Sequence, residues 1–124
     1  PLFLFGDETS FATAAALKAT PDGLSGVRCV FEVEDEAEAR RVLDELGVTR
    51  RTLVVRQASD AHFSALERTL TEALTPRTRC VFTGKASSIQ RLYKLARRLG
   101  ASGRQLTSLA YWAPGRKGFS GMQR

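Results

Sequence analysis

Two short stretches of this 124-residue chain combine residue types suited to holding an anion: Gly6-Asp7-Glu8-Thr9-Ser10 and Gly84-Lys85-Ala86-Ser87-Ser88. Each follows a short apolar run, Leu2-Phe3-Leu4-Phe5 or Cys80-Val81-Phe82, and passes at once into a helix start. A glycine there lets the backbone approach a ligand. The free N–H groups and positive dipole end of the following helix then favour negative charge, and the Thr9 and Ser10 hydroxyls add donors. Asp7 and Glu8 are awkward neighbours for an anion, so helix capping is the preferred role for Asp7.

The elements that must position these loops read clearly. Strands are expected at about 2 to 6, 27 to 33, 52 to 55, 79 to 83 and 106 to 112. Helices are expected between them. The first carries Phe11, Ala14, Ala15 and Lys18 at helical spacing and stops at Thr20-Pro21-Asp22-Gly23. In the second, Asp35 and Glu38 form a capping-box pattern, Ala39, Leu43 and Leu46 face inward, and Gly47 closes the helix. The third starts at Asp60, buries Phe63, Leu66, Leu70 and Leu74, and stops at Pro76. The fourth buries Ile89, Leu92, Tyr93, Ala96 and Leu99 and ends at Gly100. Strict alternation of strand and helix calls for right-handed crossovers and an α/β fold, a five-stranded parallel doubly wound sheet with helices on both faces. The expected organisation is one domain, residues 1–124, with a core over 1–112 and an irregular basic tail over 113–124. The chain starts with Pro1 and enters a strand immediately, so it reads as cut from something longer or stripped of a leader.

Charge divides the chain. Residues 1–72 hold all 13 acids and 8 of the 19 Lys and Arg, whereas residues 73–124 hold 11 basic residues and no acid. A polyanion should be drawn to the second part, although Arg91, Lys94, Arg97 and Arg98 read first as the solvated face of a helix. No apolar run reaches the length of a membrane span and no secretory pattern is present, so the expected address is cytoplasmic.

Several chemistries are set aside. The chain has neither G-x-G-x-x-G after the first strand nor G-x-x-x-x-G-K-[ST]. A phospho-acceptor receiver needs an Asp closing strand three, where Arg56 and Gln57 stand. His62 is the one histidine, and packing is its preferred role over catalysis. With two cysteines and one histidine, no protein-only zinc site is expected.

Gly6-Asp7-Glu8-Thr9, Thr83-Gly84-Lys85-Ala86-Ser87, and Ala110-Tyr111-Trp112 with Gly115 together resemble the C-terminal domain of siderophore-interacting proteins, flavin-dependent ferric-siderophore reductases related to the ferredoxin-NADP reductases. The family pattern is close to G-D-E-T-[ALS], then G-E-A-S, then G-Y-W-x-x-G. The resemblance spans nearly the whole chain. It implies strand order 3-2-1-4-5 and a nucleotide-binding domain of the ferredoxin reductase type, with NADPH or NADH as cofactor. It also implies a flavin-binding barrel, absent from this chain and supplied in cis or in trans, that carries FAD and reduces the ferric siderophore to release Fe(II).

Carried over position by position, Gly6, Asp7, Glu8, Thr9 and Ser10 match the loop beside the cofactor's diphosphate and nicotinamide ribose. Arg56 matches the basic position that faces the adenosine 2′-phosphate, with a solvated arginine as the alternative. Gly84, Lys85, Ala86 and Ser87 approach the nicotinamide, and Tyr111 and Trp112 either lie against the flavin ring or pack on the sheet end. Lys85 stands where the family has Glu, and Ala110 where Gly is common. Strand order 3-2-1-4-5 also sets Cys29 and Cys80 roughly 9 to 10 Å apart across strand one, too far for a disulfide.

The competing reading is a non-enzymatic module of the same fold whose basic half binds an acidic protein or nucleic acid. Tyr111, Trp112 and Phe119 are too few for a base-stacking platform, although Arg116, Lys117 and Arg124 could touch phosphates.

Overall fold

In the computed structural model of the chain, residues 1–19 and 26–112 are described, the last two by their backbone alone. The expected helix stop at 20–23, the side chains of Tyr111 and Trp112, and the basic tail with Phe119 lie outside the described residues.

Among the described residues five strands form one sheet: β1 (Leu2–Gly6), β2 (Val27–Val33), β3 (Arg51–Val55), β4 (Arg79–Lys85) and β5 (Leu106–Trp112). Their order is β3-β2-β1-β4-β5 and every neighbouring pair is parallel. Four helices connect them: α1 (Phe11–Lys18), α2 (Glu36–Glu45), α3 (Phe63–Ala73) and α4 (Ala86–Arg98). This is the expected doubly wound α/β fold. Chain order reverses at β1, between β2 and β4, which puts the topological switch point at the β1/β4 crevice.

The two-residue period of each strand splits the core into two layers. Phe3 and Phe5 of β1, Val30 of β2, and Cys80 and Phe82 of β4 pack under α3 and α4, against Phe63, Leu66, Leu70, Ile89, Leu92 and Ala96. On the other face Leu4, Cys29, Phe31 and Val33 pack under α1 and α2, against Phe11, Ala14, Ala39 and Leu43. Each fully buried Phe or Leu contributes about 1.5 to 3 kcal/mol, so both helical layers are clamped to the sheet by apolar burial.

Several local expectations are corrected. Leu46 and Leu99 are 38% and 45% exposed. Each is the residue at which its helix ends, before Gly47 and Gly100 at φ +78° and +103°, and the chain turns there before either leucine can reach the core. α3 starts at Phe63 and not at Asp60, because Ser59 and Asp60 adopt left-handed φ values of 59° and 56° that no continuous helix can contain. Of the capping box on α2, Asp35 Oδ1 accepts from the Glu38 N–H at 3.0 Å. The Glu38 carboxylate itself turns to Arg41. β4 runs two residues further than expected, to Lys85, with a register irregularity at Gly84/Lys85.

Candidate functional site at the carboxyl edge of the sheet

The carboxyl ends of β1 and β4 meet at Gly6 and Thr83. The Thr83 hydroxyl donates to the Phe5 carbonyl at 2.9 Å. With that proton committed, the 2.6 Å contact between Ser10 Oγ and Thr83 Oγ1 has Ser10 as its donor. Ser10 Oγ in turn accepts from the Asp7 N–H at 3.4 Å. A Cβ on Gly6 would lie 2.5 Å from Ser10 Oγ and 2.7 Å from Thr83 Oγ1. The glycine is therefore required by the chain's own packing.

Asp7 is buried and caps the turn over Glu8–Ser10. Its Oδ1 accepts from the Thr9 N–H at 2.9 Å and from the Thr9 hydroxyl at 2.5 Å. The Ser10 N–H donates to the Asp7 carbonyl at 2.9 Å. The capping preference for Asp7 is thus realised, the amides of Thr9 and Ser10 and the Thr9 hydroxyl are engaged within the loop, and the Ser10 hydroxyl is engaged by Thr83 of β4. Asp7 also lies against Gly84, whose φ is +103° and where a Cβ would come within 2.8 Å of Asp7 Oδ2. The two loops singled out in the sequence are therefore in contact.

Arg56, at the end of β3, meets three carboxylates. Its Nη2 is 3.2 Å from Glu8 Oε1 and 3.5 Å from Asp7 Oδ2, and its Nη1 is 3.4 Å from Glu8 Oε2 and 3.5 Å from Glu34 Oε1. Glu8 Oε2 also accepts from the Glu34 N–H at 2.6 Å, which ties the β1 loop to the end of β2. The Arg56 side chain is 17% exposed. Burial pulls its guanidinium down, but the hydrogen bond to Glu8 and the charges of Glu8, Glu32 and Asp7 outweigh that, so it is held above its ordinary value.

Beneath this edge lies a buried polar network that the sequence reading did not find. Glu32, at the end of β2 on the α3/α4 face, accepts on Oε1 from the Ser88 hydroxyl at 2.7 Å, and its Oε2 lies 2.5 Å from His62 Nε2. His62 Nδ1 accepts from the Gln57 N–H at 3.0 Å, so the ring proton sits on Nε2 and points at Glu32. Glu32 thus accepts on both oxygens, the pattern of an ionised carboxylate. Serine, histidine and glutamate together suggest a hydrolytic triad, but the geometry excludes one. Ser88 bonds the carboxylate and not the imidazole, and neither ring nitrogen is available to take its proton. The network joins β2, the turn after β3 and the first turn of α4. Its signal was a lone acid inside the run Val30-Phe31-Glu32-Val33 together with the one histidine, because a buried carboxylate demands a partner.

Of the remaining candidate residues, Lys85 and Ala86 are half-buried and Ser87 is exposed at the start of α4. The register sets Ala110 beside Gly84 and Trp112 beside Lys85, so the end of β5 flanks the β4 loop. Cys29 and Cys80 are buried free thiols on opposite faces of the sheet, each pushed up from 9.0 to about 11 by burial.

The family model described as siderophore-interacting protein matches residues 1–115. The chain belongs to the siderophore-interacting protein family. The match spans all three motif segments. A siderophore utilization protein from T. fusca is similar over 94% of this chain and 46% of its own length, at 26% identity and TM-score 0.67. The flavohem-like FAD/NAD binding domain of nitric oxide dioxygenase from Vibrio cholerae is similar over 92% of this chain and 52% of its own, at 16% identity and TM-score 0.52. A ferredoxin reductase in carbazole 1,9a-dioxygenase is similar over 89% and 37%, at 16% identity and TM-score 0.60. No curated protein gives a significant match. This siderophore-interacting protein chain has the fold of the nucleotide-binding domain in ferredoxin-reductase-type proteins, and it spans about half or less of each of these structures. Among the described residues no helix is long and apolar enough to cross a membrane.

Proposed function

We propose that the chain is the nicotinamide-nucleotide-binding part of a flavin-dependent reductase acting on Fe(III) siderophores. The observation that carries this reading is the meeting of the Gly6–Ser10 and Gly84–Ser88 loops at the β1/β4 switch point, where ligands of open parallel sheets bind. Family membership supports the siderophore, and the similarity to an FAD/NAD binding domain and to a ferredoxin reductase supports the class of cofactors.

In this reading a nicotinamide nucleotide, when bound, would supply two electrons as a hydride to a flavin held by a separate barrel domain, and each siderophore-bound Fe(III) would take one of them to become the weakly held Fe(II). The chain's own residues bind and orient. Gly84 makes room for the Asp7 side chain, and Ala86 adds little bulk at the start of α4. Ser88, held by Glu32, fixes the first turn of α4, and the end of β5, which carries Tyr111 and Trp112, runs beside the β4 loop on the side assigned to the flavin in this reading. Lys85 places a cation where the family pattern has an acid, beside the expected nicotinamide position.

The test is a titration of the chain with NADH and with NADPH, following backbone amide shifts. Shifts concentrated on Gly6 to Phe11 and Gly84 to Ser88 are the expected result. The reading falls if neither nucleotide perturbs those loops at millimolar concentration while an acidic polymer shifts residues 89–99. Arg91, Lys94, Arg97 and Arg98 are all exposed there, and that outcome makes the chain a polyanion-binding module.

A further inference from the structure

We infer that Glu8, seconded by Asp7 and Glu34, is a specificity-determining residue that closes Arg56 to a 2′-phosphate, so that the site selects the nicotinamide nucleotide with a free ribose diol. The inference rests on the proposed nucleotide-binding reading and concerns one end of the same cleft. From the sequence, Arg56 stands where a guanidinium grips the adenosine 2′-phosphate and should favour NADPH. The structure gives that guanidinium other work. Both Nη atoms face Glu8 in a bidentate pairing at 3.2 and 3.4 Å, and Asp7 and Glu34 each approach to 3.5 Å.

Three carboxylates thus converge on Arg56 among the described residues, and Glu32 adds to the field at Arg56 from below. A phosphate dianion arriving here must displace a bidentate carboxylate from its arginine and then sit beside the charges it displaced. A diol meets the opposite situation. Its hydroxyls donate to carboxylate oxygens, and the Glu34 side chain is 78% exposed at the end of β2 to receive them. The Glu8 carboxylate is also braced by the Glu34 N–H, so it is not a loose side chain that swings aside without cost.

The experiment compares NADH and NADPH affinities for the 124-residue chain and for Glu8→Gln, whose amide oxygen still accepts from the Glu34 N–H. The wild-type chain should bind NADH at least as tightly as NADPH. Glu8→Gln should tighten NADPH about tenfold, the effect of one charge-assisted contact made available, and change NADH less than about threefold. Arg56→Ala in the Glu8→Gln background should remove the gain, which separates a freed arginine from a general loss of negative charge. A wild-type preference for NADPH that Glu8→Gln leaves unchanged overturns the inference while the nucleotide-binding reading stands. Absence of binding by either nucleotide to both proteins overturns the two together.

Discussion

Gly6 and Thr83 pack so closely that a single methyl group does not fit between them: a Cβ on the glycine would lie 2.7 Å from the threonine hydroxyl. That contact joins the ends of β1 and β4, the two strands that flank the switch point. Gly6→Ala should therefore destabilise the chain by about 1 to 3 kcal/mol through overpacking, lowering the melting temperature by roughly 4 to 12 °C. Thermal unfolding followed by circular dichroism checks this, and a melting temperature within a degree of wild type contradicts the packing.

The Glu32 network makes two predictions of different kind. Imidazole nitrogen shifts should report His62 protonated on Nε2 and bare on Nδ1, because Nδ1 accepts from Gln57. Glu32→Ala leaves a buried Ser88 hydroxyl and a buried His62 N–H without their acceptor, at about 1 to 3 kcal/mol for each unsatisfied donor, and should cost about 2 to 6 kcal/mol in denaturant unfolding. A cost below about 1 kcal/mol means the network contributes little to the fold.

Thiol ionisation gives a pH dependence of known direction. Burial raises Cys29 and Cys80 from 9.0 to about 11, so the folded chain keeps protons that the unfolded chain releases. Stability from this source is full below pH 9 and declines between about pH 9 and 11, by on the order of 2 to 3 kcal/mol per thiol. Unfolding midpoints of wild type and of Cys29→Ala with Cys80→Ala, measured across that window, should converge as the pH rises. A constant difference removes the prediction.

Leu46 and Leu99 offer the reverse test. Both are exposed beyond the core, so Leu46→Gln and Leu99→Gln should each change stability by less than about 0.5 kcal/mol. A loss of 2 kcal/mol in either case places that leucine inside.

How far the sequence led depends on the range of the forces involved. β2 and β5 lie within their predicted bounds because apolar runs between turn residues are local signals. The start of α3 was not legible, since Asp60 is a good capping residue and nothing nearby announces the left-handed pair Ser59–Asp60. Arg56 was visible as a cation closing β3. Its partners were not, because Glu8 lies 48 residues away and Glu34 22, and the strand order alone brings them together. Glu32 was conspicuous as an acid in an apolar strand, yet its acceptor role depends on His62, 30 residues on, and Ser88, 56 on.

Cys29 lies in the layer beneath α1 and α2, and Cys80 in the layer beneath α3 and α4. A labelling reagent can reach either sulfur only while the helices above it are lifted, and such partial openings differ in free energy across a domain. The two sulfurs are therefore a pair of independent clocks built into one sheet. Single-cysteine variants labelled under native conditions would time the departure of each helical layer separately, and equal rates would mean that both layers leave in one cooperative event.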